Sequence, residues 1–244
     1  MIDWLKRAHI KAGGDPEIEL NGVRLPINLR RHSTARRLTL RLAPDGSEVR
    51  ITLPAWARSA EAIAFAHART DWLAEQHAKI PARQDAAPGS ALLYRGEGLR
   101  IEWDETAKRK PVREGASVRL GGPLAGLEKR LQRWLEGEAL ALFEADMADY
   151  TAAASLAPVP VALSRAQRRW GSCSDKERIR INWRLVQAPD FVRRSVVAHE
   201  VAHLVHFDHS PAFHALLGDI YEGDIRQADR WLKEKGRTLY ASFG

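Results

Sequence analysis

Asp190–Phe213, DFVRRSVVAHEVAHLVHFDHSPAF, is the stretch from which the rest of the chain can be read. It contains His199-Glu200-Val201-Ala202-His203, two histidines four residues apart with a glutamate between them. On an α-helix, residues four apart share one face, one turn above the other. Both imidazoles can then reach a single metal ion, at about 2.0–2.1 Å if it is zinc. Glu200 projects beside them, close enough to reach a water without being a ligand. A Lewis acid that acidifies water and a carboxylate that takes its proton are the parts a metal-dependent hydrolase needs.

The flanks support a built site. Asp190 follows Ala188-Pro189 and is the expected N-cap of a helix through about Val205. Phe191, Val192, Val196, Val197, Val201 and Leu204 surround that helix with apolar side chains, so it is expected to be buried. Two histidines and a glutamate inside such a helix require partners. Downstream, Phe207-Asp208-His209 reads as a reversal, with Ser210 as the next N-cap and Pro211 at the first helical position.

For a third ligand, His209 at the turn is well placed to swing back, and Glu222, beyond the turn, stands second. His206 stays on the helix of the first pair, where a third ligand closes a tetrahedron poorly. The spacing of His199, His203 and His209 also fits the metzincin pattern, but His206 stands in its glycine position. The methionine turn of that family is missing too, since Met1 and Met147 both precede the site.

Three stretches together resemble a known family: RRWGSCS (Arg168–Ser174), RIRINWRL (Arg178–Leu185) and VVAHEVAHLVHFDHSPAF (Val196–Phe213) are similar to the YgjP/SprT-like zinc metallopeptidases. The likeness is specific over about residues 165–232 and departs from the usual pattern at His206 and His214. It implies Zn2+ held by His199, His203 and His209, with Glu200 as catalytic base. The expected fold is α+β: a β-rich N-terminal region over 1–120 with one helix, then a zincin-like catalytic domain over 121–244. In that domain the active-site helix would lie beside a sheet edge.

The hairpin before the helix is the candidate for that edge. Val161-Ala162-Leu163 starts a strand, Arg168–Ser174 leads into a turn, and Arg178–Trp183 returns with period-2 alternation. Zinc peptidases commonly align an extended substrate on such an edge by main-chain pairing. Arg168, Trp170, Gly171 and Ser172 are therefore the expected substrate contacts, with Gly171 permitting close backbone approach. Cys173 reads as a small packing residue rather than a nucleophile.

Elsewhere the chain reads as scaffold. Residues 17–54 alternate as antiparallel strands around the Asn21-Gly22 turn. Arg30, Arg31, His32, Arg36 and Arg37 form a basic loop, and Ser59 opens a helix through about His77. Lys79–Ser90, KIPARQDAAPGS, is the linker candidate. Leu92–Tyr94 with Leu99–Trp103 suggests a second hairpin, and Pro123–Tyr150 a long amphipathic helix packed on the His199 helix. No internal repeat stands out.

At 244 residues and 45% hydrophobic content a sizeable core is available. The net charge of +7 favours polyanions, so nucleic acid or nucleotides join a peptide or protein substrate as expected partners. One cysteine, no signal-like apolar run in the opening MIDWLKRAHIKAGG and no membrane-length apolar stretch suggest a cytoplasmic protein without a membrane partner. Two rival functions remain: hydrolysis of a nucleotide phosphoanhydride, and a nucleic-acid-binding module with a structural zinc. The first lacks a glycine-rich phosphate loop, and in the second Glu200 would have no task.

Overall fold

A computed structural model of the chain describes residues 16–243. The opening residues read for a leader lie outside this range. The fold is α+β, in two compact units that divide between Ile80 and Pro81. That division falls in the expected linker, not at 120/121. The strands of residues 91–120 belong to the second unit because their apolar faces join the same core as the long helix and the His199 helix.

In the first unit β1 (Glu17–Leu20), β2 (Val23–His32), β3 (Thr39–Leu42) and β4 (Val49–Pro54) form a sheet in the order β1-β2-β4-β3. Its outer pairs are antiparallel, but β2 and β4 run parallel, contrary to the all-antiparallel expectation. Alternation fixes which face is buried, not the direction of the neighbouring strand; here β3 serves as the crossover. Ile18, Leu20, Leu25, Ile27, Val49, Ile51 and Leu53 point into the core beneath α1 (Ser59–His67) and α2 (Thr70–Ala78). The single expected helix is thus two, with Ser59 its first residue and Arg58 the N-cap. Arg31 lies in β2 rather than a loop, and its guanidinium donates to the carbonyls of Ala57 at 2.6 Å and Ala55 at 3.0 Å.

The second unit opens with a sheet of the same order. β5 (Ala91–Tyr94), β6 (Glu97–Trp103), β7 (Val112–Glu114) and β8 (Ser117–Leu120) are arranged β5-β6-β8-β7, again with a parallel central pair. α3 follows over Leu127–Ala153, starting later than expected because Gly126 turns left-handed at φ +83. β9 (Val161–Ser164), β10 (Gly171–Cys173) and β11 (Ile179–Asn182) form a small sheet in the order β10-β11-β9, leaving β10 at an edge. α4 (Asp190–Val205), α5 (Pro211–Ile220) and α6 (Ile225–Lys235) complete the unit. No described helix is long and apolar enough to cross a membrane.

Candidate metal centre

α4 is positioned by its own sequence. Val192, Val197, Ala198, Val201 and Ala202 are fully buried, and the small alanines let neighbouring elements approach. Its first residue is Asp190; Pro189 takes the N-cap position and gives no side-chain cap. The Asp190 carboxylate instead accepts from Arg95 and, at 2.5 Å, from Arg193. Burial opposes its ionisation, but those hydrogen bonds and charges outweigh burial and hold its pKa below the usual carboxylate value.

His199 and His203 stack one turn apart, with Nε2 atoms 3.1 Å from each other. The reversal after α4 brings His209 Nε2 to 3.3 Å from His199 Nε2. One nitrogen from each ring lies within 4.8 Å of the other two. The chain ends of this reversal are held as expected: Ser210 caps α5 by accepting from the Phe213 N–H at 3.4 Å, with Pro211 at the first position.

Two features that the sequence did not disclose arrange the imidazoles. Phe213, fully buried, forms a floor with its ring 5.0, 4.6 and 4.9 Å from those of His199, His203 and His209. The carbonyl of His206, at the end of α4, lies 2.9 Å from His203 Nδ1. A carbonyl only accepts, so Nδ1 carries the proton and Nε2 presents its lone pair to the cluster. Burial, then the neighbouring His203, His209 and His214, pushes the His199 pKa down to about 4.

Three imidazoles with converging nitrogens suit a borderline-soft divalent ion. Two ligands on a tetrahedral zinc at 2.0–2.1 Å are separated by about 3.3–3.4 Å. The 3.1 and 3.3 Å separations seen here fall close to that edge length. The donor set therefore fits zinc.

Glu200 is 5% exposed and faces β10. A Cβ built on Gly171 would lie 2.3 Å from its Oε1, so only glycine leaves room for this carboxylate. Burial pushes its pKa up to about 7, against the charge of Arg169 and a hydrogen bond from the Cys173 N–H. Burial first, then Glu200 and Glu177, raises the Cys173 thiol, which agrees with a packing role.

The other expected residues separate. Ser172 lies with Gly171 in the edge strand, and Arg168 is exposed in the segment leading to it. The Trp170 indole packs 5.8 Å from the Tyr240 ring and against Gly236. Glu222 is absent from the histidine cluster: it accepts from Arg194 at 2.6 Å and from the Tyr150 hydroxyl at 2.8 Å.

Glu222 belongs to a network that sequence reasoning missed. Arg193 and Asp146, each with a side chain 3% exposed, pair at 2.7 Å between α4 and α3. Arg194 joins Asp146 at 3.0 Å and Asp149 at 3.1 Å. The available signal was Asp146 itself, a carboxylate on the face of α3 that carries Phe143, Met147 and Tyr150.

No curated protein and no solved structure matches the chain. A family model does, described as "YgjP-like, metallopeptidase domain", over residues 36–235. It takes in part of the first unit as well as the whole histidine cluster, and the chain belongs to the YgjP-like metallopeptidase family.

Proposed function

We propose that this chain is a zinc-dependent peptidase in which His199, His203 and His209 hold the metal and Glu200 moves the proton. The observation that carries the reading is the spacing of the three imidazole nitrogens, 3.1 and 3.3 Å for the two pairs with His199. When bound, zinc would supply a Lewis acid that acidifies water and polarises the scissile carbonyl.

The chain's own residues account for the rest. The Glu200 carboxylate takes a proton from the attacking water and returns it to the leaving amine. The Cys173 N–H orients that carboxylate, and Gly171 makes room for it. β10 is an edge strand, so an extended peptide can pair with its backbone at Gly171 and Ser172. Arg168 lends positive charge to the approach. Trp170 acts indirectly, by fixing its segment on Tyr240. A single cysteine kept as a thiol suits a reducing compartment, and we place the enzyme in the cytoplasm.

Glu200→Gln tests the assignment. Gln is nearly isosteric but cannot accept the proton, so zinc stoichiometry should stay at the wild-type value. Hydrolysis of an unstructured protein such as casein should fall by about 10²–10⁴-fold. His203→Ala should lose zinc and activity together. Full activity in Glu200→Gln would overturn the mechanism.

A further inference from the structure

A second concavity lies on the other half of α3. Arg109, Lys110, Lys129, Arg130, Arg133 and Trp134 line an open groove of about 710 Å³, with Gly126 and Gly137 along the same helix face. Its one acidic lining residue, Glu138, accepts from the Tyr94 hydroxyl at 2.8 Å. From 126 to 137 that face runs about 16 Å. None of the residues lining the groove belongs to the histidine cluster.

Several local choices here oppose stability. Lys129, Arg130 and Arg133 occupy the first two turns of α3, the positive end of its dipole, where cations are unfavourable. Lys129 and Arg133 are like charges four residues apart, which costs the helix a little more. Neighbouring arginines find carboxylates: Arg83 with Glu128, Arg113 with Glu97, Arg119 with Asp104, Arg165 with Glu136. Among the described residues none of the five groove cations does. Arg130 donates to the carbonyls of Pro123 and Ala125, which leave its charge unneutralised. Gly137 is a helix-interior glycine whose Cβ would meet nothing within 4 Å, so no crowding demands it, and it leaves the helix surface open.

We infer that this groove binds single-stranded nucleic acid, with phosphates along Arg109, Lys110, Lys129, Arg130 and Arg133 and a base against Trp134. Five cations without an ion-pair partner, lining one groove against a single carboxylate, exceed what one phosphate uses and suit a run of them. Trp134 is braced from behind by Tyr94, ring centroids 5.4 Å apart at 28°, and supplies a rigid aromatic for stacking. The inference is independent of the peptidase reading, since it needs neither zinc nor Glu200.

The test is fluorescence anisotropy of the full chain with a labelled oligothymidylate of about 15 nucleotides. Four or five phosphate contacts predict affinity falling about 50- to 130-fold between 50 and 200 mM salt. Arg109→Gln/Lys129→Gln/Arg133→Gln should reduce that loss to below about tenfold and weaken binding at low salt. Arg226→Gln/Arg230→Gln/Lys233→Gln on α6 makes the same charge change on exposed residues and should behave as wild type. Equal loss in both triple variants would reduce the effect to net charge and overturn the assignment. So would tight binding of tripolyphosphate with no binding of the oligonucleotide.

Discussion

The two four-stranded sheets are built to one plan and used differently. Each starts with a hairpin closed by two residues of positive φ, Asn21-Gly22 in one and Arg95-Gly96 in the other. Seven residues past the strand end, Ile27 lies beside Val49 in the first sheet and Ile101 beside Val118 in the second. The turns then meet different partners. Asn21 donates to the Ala74 carbonyl of α2 at 2.9 Å, a local contact. Arg95 and Gly96 donate their N–H groups to Val186 and Gln187 at 2.7 and 3.0 Å, and the Arg95 side chain reaches Asp190 at the start of α4. One hairpin finishes its own unit; the other is a bracket for the helix that carries the histidines. The following helices differ likewise, since α3 is long enough to pack along α4.

The largest effect should come from the buried pair behind that packing. Among the described residues, no ion pair of the first unit has both side chains as buried as Asp146 and Arg193. Asp146→Ala would leave Arg193 with only Asp190, and removing one partner of a buried pair typically costs about 3–5 kcal/mol. The expected result is a lower denaturant midpoint at unchanged slope, together with weaker metal binding as α4 loosens. The double replacement Asp146→Leu/Arg193→Met should be much milder, because no buried charge is left uncompensated. If the single and double variants were equally destabilised, the pair would not be what joins α3 to α4.

The glycines of the two turns give a direct contrast. Gly22 and Gly96 have φ of +79 and +84, so alanine at either is strained by about 1–2 kcal/mol. A Cβ at Gly22 meets nothing within 4 Å, whereas at Gly96 it would lie 2.9 Å from Pro189 Cγ and 3.0 Å from its Cα. Overpacking there adds about 1–3 kcal/mol. Gly96→Ala should therefore lower the melting temperature clearly more than Gly22→Ala, and only Gly96→Ala should reduce activity. Equal losses would mean that the second hairpin does not brace α4.

What could be read from the chain follows from how local each signal is. The histidine spacing, the Ser210-Pro211 helix start and the Asn21-Gly22 turn are properties of a few adjacent residues, and each is found as expected. The parallel β2–β4 and β6–β8 pairs are not, because alternation is the same whichever way a neighbour runs. The shared plan did leave a trace: Gly46, Val49, Arg50 and Pro54 recur as Gly115, Val118, Arg119 and Pro123 at a constant offset. Leu120 replaces Ile51 between them, and too few positions repeat to stand out beforehand. Phe213 reads as any apolar helix residue, and its role under three imidazoles exists only once α5 folds back. Glu222 attracts attention as a ligand by its distance from His203, yet Arg194 and Tyr150 claim it in three dimensions.

The smallest effect separates the two turns by pH. Asp190 has a folded pKa below its ordinary value: burial raises it, but the hydrogen bond from Arg95 and the charges of Arg193 and Arg95 lower it further. A carboxylate depressed in this way stabilises the fold fully above its unfolded pKa, about 3.9, and the contribution is lost as pH falls through the lower folded value. The side chain is 35% exposed, so solvent and salt screen the pair with Arg95, and about 1 kcal/mol or less is expected. Asp190→Asn should therefore be slightly less stable than wild type at pH 7, with the gap closing as the medium is acidified below about pH 4. Asn21 holds its helix through a neutral amide, so the loss in Asn21→Ala should stay constant over the same range. Urea midpoints for the three proteins between pH 7 and 3 decide it. A gap for Asp190→Asn that did not change with pH would show that the ion pair contributes nothing and that the second hairpin holds α4 through its backbone alone.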